Sequence, residues 1–426
     1  MALLDDNYKK RLIDDKISKY ISVIGALSVE GVKYCGKTST ALHHGNTAYY
    51  FEDEQTRSLA ELEYARVLEG EKPIVMDEWA NLPHVWDAVR RKCDDISKPG
   101  NFILTCSSEL SYQEWRKQIF HSGAGRFAKI KMYPMSLYES GNSTGKVSIT
   151  DMYNGTFESN RNGNDEVDLK MLAYYIVRGG WPQNLGFNEE SANILPRMYL
   201  EDIINQYVSS DKVRDKNKIF ALLRSLARNE STICSNNFLL NDTNKNEKKD
   251  IIKSKITLSD YLDKLSRLYL VDNQEHFRIK YKSYKRLSKG VKRHFVDPSL
   301  ACAALDITVD KLLGDIKTFN LLFEALVERD LKIYMDLLDG NLYHFRDNVS
   351  GLSVDAILKF NDDDYAAVEI ELGFNKVEEA ITNLVKFSEN MIKKPKFMCV
   401  VVGKTDVIAR DEKTGIYVVP ITALKP

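Results

Sequence analysis

Two short stretches of the chain carry side chains whose types and spacing belong to phosphate chemistry. In GVKYCGKT, Gly31 to Thr38, two glycines enclose four residues and are followed at once by a lysine and a hydroxyl. Glycines so placed let backbone N–H groups wrap phosphates, while the lysine reaches the β and γ phosphates and the hydroxyl meets Mg²⁺. Gly31, Gly36, Lys37, Thr38 and the adjoining Ser39 are therefore the expected ATP contacts. Downstream, the apolar run IVMDE ends in Asp77 and Glu78. There Asp77 is expected to hold Mg²⁺ through water, together with Thr38, and Glu78 to polarise an attacking water. Each signal alone has a plainer reading, a helix-starting turn or a strand end facing water. In this order on one chain they predict nucleotide binding.

Such residues need elements to position them. GALSVE, TAYYFED, KPIVMDEW and NFILTCSS read as strands separated by amphipathic helical patterns, which implies an α/β fold with a parallel sheet. The middle of the chain turns helical, and after about Thr318 a helix, FEALVERDLKIYMDLL, leads into five strand-like runs interrupted by one more helix. Asn-rich stretches at 154–168 and 241–250 read as surface loops. With 426 residues the chain exceeds one hydrophobic core, so two or three domains are expected.

Composition narrows the classes. Lys plus Arg number 60 against 61 Asp plus Glu, so no global field draws the chain to nucleic acid or membrane. No apolar run approaches a membrane span, and the first twenty residues lack the apolar core of a signal peptide, so a cytoplasmic protein is expected. The six cysteines form no C-x-x-C pair and read as reduced thiols rather than zinc ligands or disulfides.

The succession SVEGVKYCGKTSTA, IVMDEWANLPHVWDAVRR, FILTCSSE, GAGRFAKIKMYPMSLYES, RGGWPQNL, HFVDPSLA, LFEALVERDL and AAVEIELG resembles the prokaryotic AAA-type ATPases that carry a C-terminal domain of unknown function. The resemblance spans nearly the whole chain. It implies an AAA-type P-loop ATPase domain over 1–195, a helical, winged-helix-like domain over 196–300 and a restriction-endonuclease-like α/β domain over 301–426. It also implies that Thr105 and Ser107 of FILTCSS lie near the γ phosphate, and that Arg126 of GAGRF acts on that phosphate, either in its own subunit or in the next copy of a homo-oligomer. Cys106 stands where the family commonly has glycine, a departure expected to touch packing only.

From Arg278 to Arg293 the chain holds eight basic residues, Arg278, Lys280, Lys282, Lys285, Arg286, Lys289, Lys292 and Arg293. No acid interrupts them. Beside a winged helix such a run could bind DNA phosphates, and it is equally the composition of a solvated face. In the C-terminal region Asp355 and Glu369 match the two acids of a PD-D/E-x-K nuclease pattern, with Glu324 a fourth member, but Glu371 stands where that pattern has lysine. Residues 369 and 371 share a strand face, and two carboxylates ~4 Å apart repel by up to ~4 kcal/mol near the surface. DNA cleavage is therefore not expected, though the acids together remain a candidate cation site. The reading is a Mg-dependent ATP hydrolase whose nucleotide state governs engagement of a partner such as DNA. The alternative is a nucleotide-dependent switch or interaction protein with little turnover.

Overall fold

The computed structural model describes residues 8–96, 98–157, 167–210, 215–245, 251–278, 290–361, 363–405 and 407–426. The chain divides into two compact units, Met1–Pro134 with Asp263–Leu270, and Met135–Leu262 with Val271–Pro426.

In the first unit, helix α1 (Ile13–Ile21) precedes strand β1 (Ala26–Glu30), the glycine loop and helix α2 (Lys37–His44). Strands β2 (Thr47–Tyr50) and β3 (Ile74–Asp77), helix α3 (Val85–Asp95), and strands β4 (Phe102–Cys106) and β5 (Phe127–Lys131) complete the sheet. All five strands run parallel in the order β2-β3-β4-β1-β5. Every residue of β1, β3 and β4 is buried, which is why these strands read as continuous apolar runs rather than alternating ones. One face packs Phe51, Ile74, Met76, Phe102 and Leu104 against Trp86, whose ring stacks on Phe127 at 3.8 Å between centroids. Because the strands are parallel, Glu30, Tyr50, Asp77, Cys106 and Lys131 all end at one edge of the sheet, where such folds bind ligands.

The second unit begins with helices α4 (Leu169–Arg178), α5 (Ile194–Ser210) and α6 (Lys216–Arg228). Strand β6 (Thr232–Ile233) and helices α7 (Asn236–Asn244) and α8 (Lys255–Arg267) follow, the last turn of α8 belonging with the first unit. The expected loop at 241–250 is thus helical as far as Asn244: Ser235 Oγ caps α7 at Phe238 N, 3.2 Å away, and Leu239 and Thr243 bury one face. Polar composition hid that stripe.

Then come β7 (Glu275–His276), β8 (Lys292–Arg293), helices α9 (Pro298–Ala304) and α10 (Ile316–Leu337), and strands β9 (Asn341–Arg346), β10 (Ser353–Lys359) and β11 (Tyr365–Gly373). Helix α11 (Val377–Asn390) leads to β12 (Met398–Lys404), β13 (Ala409–Arg410) and β14 (Tyr417–Pro420). Strand β8 pairs antiparallel with β6, and bridges join Val271 to Phe295 and Gln274 to Lys292. The larger sheet has the order β13-β14-β12-β11-β10-β9-β7, with α11 packed on its apolar face through Val377, Ala380, Leu384 and Phe387. The five strands expected after Thr318 are all present. The six cysteines are unpaired, and five of them are buried. Among the described residues no helix is long and apolar enough to cross a membrane.

Candidate nucleotide-binding site

The glycine loop leaves β1 under tight constraint. A Cβ at Gly31 would lie 2.2 Å from the Met132 carbonyl oxygen, so only glycine lets β1 and the chain after β5 approach this closely. Gly36 adopts φ 104 and turns the chain into α2, with Tyr34 also left-handed at φ 69. Backbone N–H groups in such a turn, followed by a helix N-terminus, make an anion-binding concavity. Lys37 sits in it at 4% exposure, and its Nζ donates to the Val32 carbonyl at 2.9 Å. Among the described residues that carbonyl is its only hydrogen-bond partner, and the Asp77 carboxylate acts on it through space. A buried ammonium with no carboxylate in direct contact is costly, and an incoming phosphate would relieve that cost. Ser39 is exposed on the first turn of α2. The loop is braced from behind by Arg11, whose guanidinium donates to the carbonyls of Cys35 and Tyr133, both at 2.9 Å.

Across the sheet edge the acids are joined to the loop. Asp77 Oδ1 accepts from Thr38 Oγ1 at 2.8 Å and from Thr105 Oγ1 at 2.7 Å. Burial raises the Asp77 pKa above the usual carboxylate range, against the pull of the Thr105 and Thr38 hydrogen bonds. The hydroxyl and carboxylate that would hold Mg²⁺ are therefore in direct contact, and the donor set fits that hard cation. Thr105 is fully buried, and its Oγ1 accepts from Glu78 N at 2.9 Å. Glu78 takes a left-handed φ of 52. Its Oε2 accepts from Ser107 N at 3.1 Å and Ser107 Oγ at 2.8 Å. Ser107 is thus found on the acid expected to activate water.

Arg126 lies elsewhere. Phe127 pairs with Ala26 at the start of β1, whereas the glycine loop follows Glu30 at its end, ~13 Å of strand away. Arg126 Nε donates to Asp94 Oδ1 at 2.7 Å. Arg126 thus sits at the opposite end of β1 from the glycine loop.

The expected acids of the second unit do converge, but around a lysine. Asp355 Oδ2 accepts from Ile370 N at 3.0 Å, and Glu369 accepts from Asn383 Nδ2. Burial, then the neighbouring Asp355, drives the Glu369 pKa well above the carboxylate range. Lys292 Nζ donates to Glu324 and, at 2.6 Å, to Glu328. Burial alone would pull its pKa down, and those two carboxylates outweigh it and hold the ammonium charged. The charge expected to be missing at 371 is thus supplied in part by a lysine from outside the motif. Among the described residues no group of three or more His, Cys, Asp or Glu side chains is arranged to hold a metal. Glu369 and Glu371 instead line a polar cavity of about 630 Å³ with Lys376, Glu378 and Glu379.

Lys292 also corrects the reading of the basic run. Its neighbour Arg293 is likewise buried, donating to the Cys234 carbonyl at 3.2 Å and to Asn236 Oδ1 at 2.6 Å. Both face inward because β8 is paired and covered. Arg278 borders a second cavity, of about 700 Å³, with Phe277 and Tyr343. Lys280, Lys282, Lys285, Arg286 and Lys289 lie outside the described residues.

Residues 25–141 match the AAA domain family, residues 169–311 a domain of unknown function (DUF8612), and residues 320–424 another domain of unknown function (DUF4143). Among solved structures the chain is similar to the Walker-type ATPase of Pyrococcus abyssi at 9% identity and a TM-score of 0.45, covering 71% of this chain and 97% of that one. It is also similar to the ORC2 protein of Aeropyrum pernix at 13% identity and a TM-score of 0.31, covering 73% and 98%. The ORC1 protein of that organism in complex with DNA matches at 12% identity and a TM-score of 0.29, covering 72% and 95%. No curated protein matches the chain.

Proposed function

We propose that this chain, an AAA-type P-loop protein over residues 25–141 with a DUF4143 domain over residues 320–424, binds ATP with Mg²⁺ and hydrolyses it. The observation that carries the reading is the buried Lys37 ammonium, left with one carbonyl partner at a helix N-terminus beside the joined Thr38 and Asp77. Gly31, Gly36, Lys37, Thr38 and Ser39 would bind the phosphates, and Thr38 and Asp77 would hold the Mg²⁺. When bound, that ion offsets the charge developing on the phosphoryl oxygens. Thr105 fixes the Asp77 carboxylate. Glu78 receives the proton of the attacking water once its Oε2 is free of Ser107. Arg126, remote from the loop of its own subunit, is assigned to the nucleotide of a neighbouring copy in a homo-oligomer.

The middle region supports a winged-helix reading, since helix, strand, two helices and paired strands follow in the order α6, β6, α7, α8 and then the bridges to β8. The helix, three strands, helix and strand from α10 to β12 likewise support a restriction-endonuclease-like domain, with nuclease chemistry disfavoured by Glu371. On this reading nucleotide state governs engagement of a partner, DNA being the class that a winged helix and a basic run suit. One observation favours a switch with little turnover: Glu78 is held by two hydrogen bonds from Ser107.

Phosphate release with and without duplex DNA separates these readings. Lys37→Ala should lose ATP affinity by a hundredfold or more, the loss expected for a fixed charge in a dry site. Glu78→Gln should bind ATP like the parent and turn over at least a hundredfold more slowly. Parental affinity in the Lys37 variant, read by calorimetry, would refute the phosphate-loop assignment.

A further inference from the structure

The loop leaving β4 is fastened at three points. The Cys106 carbonyl accepts from Gly31 N at 3.1 Å, Ser107 donates twice to Glu78, and Glu109 N donates to the Arg267 carbonyl at 2.9 Å. Between them Cys106 Sγ donates to the Ser108 carbonyl at 2.7 Å and folds the loop on itself, so the cysteine shapes the loop rather than merely filling space.

Arg267 ends α8. Two residues on, Tyr269 takes φ 55 and donates its hydroxyl to Glu30 Oε2 at 3.0 Å. Glu30 is the last residue of β1, buried, and its other oxygen accepts from Ser28 Oγ at 3.0 Å and Lys129 Nζ at 2.8 Å. Burial and the Glu30 charge hold the Tyr269 hydroxyl protonated well beyond the usual phenol range, so it stays a donor. One short segment therefore grips both chain ends that frame the phosphate loop: β1 just before Gly31, and the β4 loop whose Ser107 holds Glu78.

We propose that Arg267–Tyr269 is an input element of the nucleotide site, and that Ser107 is the positioning residue through which it acts. With the segment docked, Glu109 fixes the loop so that Ser107 holds Glu78 away from water. The Glu78 carboxylate, accepting from both Ser107 N and Ser107 Oγ, points at those donors. When the segment withdraws, the loop moves with Glu109 and Glu78 is released. The proposal rests on the hydrolase reading given above.

The test compares phosphate release and ATP affinity in the parent, Ser107→Ala, Ser107→Thr, Tyr269→Phe and the Ser107→Ala/Tyr269→Phe double variant, with Lys37→Ala as the binding control. Ser107→Ala should raise kcat by roughly tenfold or more, the worth of hydrogen bonds to a charged group, with KM unchanged. Ser107→Thr keeps the hydroxyl and should retain the parental rate. Tyr269→Phe should raise kcat by a smaller factor, and the double variant no further than Ser107→Ala, because both changes open one latch. A parent that hydrolyses ATP while Ser107→Ala or Tyr269→Phe turns over at or below its rate overturns the latch and leaves the hydrolase reading standing. A parent that binds ATP no better than Lys37→Ala overturns both.

Discussion

The Glu371 carboxyl is half-buried, and burial raises its pKa from 4.5 to about 7, with Asp355 and Glu379 adding to the rise and Lys376 opposing it. A carboxyl whose folded pKa exceeds its unfolded value costs stability only where it must ionise in the fold. That cost is absent below pH 4.5 and grows as pH rises through about 7. Glu371→Gln should therefore melt with the parent below pH 4.5 and ~2 to 4 °C above it at pH 8, a gain of ~1 kcal/mol after discounting for its partial exposure. Equal melting at pH 8 would show that the charge is well solvated. Among single residues, sequence spacing was informative where chemistry is local. The contact of Thr38 with Asp77 agrees with the spacing, since Asp77 ends one apolar strand and Thr38 opens the helix after the loop that leaves another. The contact of Ser107 with Glu78 is a matter of side-chain direction that no spacing encodes.

At the scale of elements, strand β8 carries a consequence for stability. Its Lys292 reaches Glu324 and Glu328 across sequence separations of 32 and 36 residues, and no periodicity joins a basic run to carboxylates on a later helix. The run therefore read as surface, although two of its members are core. Removing one member of a buried ion cluster leaves the other charges uncompensated, which typically costs ~3 to 5 kcal/mol. Lys292→Met should destabilise the second unit by about that much at pH 8 in urea unfolding, and by less at pH 5, where Glu324 and Glu328 can protonate. Arg126 teaches the complementary lesson. Its motif was visible, but which end of β5 it occupies decides what it can touch, and that follows from the parallel pairing with β1. The strands themselves were easy to read, since buried parallel strands are bare apolar runs and the acids of β11 alternate as a strand requires.

Across the whole chain a net charge of -1 conceals local imbalance, with a buried cation in the glycine loop that no carboxylate contacts directly and crowded acids in the second unit. The two compact units should give two calorimetric transitions, and Mg·ATP at a hundred times its Kd should stabilise the one containing the phosphate loop by ~2.7 kcal/mol. Lys37→Ala should abolish that shift. The return of Asp263–Leu270 to the first unit was not foreseeable, since those residues continue an ordinary amphipathic helix. The lone ammonium of Lys37 also bears on how the protein is handled at the bench. On the proposed reading the loop takes any small tetrahedral oxyanion, so inorganic phosphate or sulfate in a storage buffer should compete for it. Stocks kept in phosphate will then resist heat better and bind nucleotide more weakly than stocks in a zwitterionic buffer, and affinities measured in the two will differ by the factor that anion competition sets.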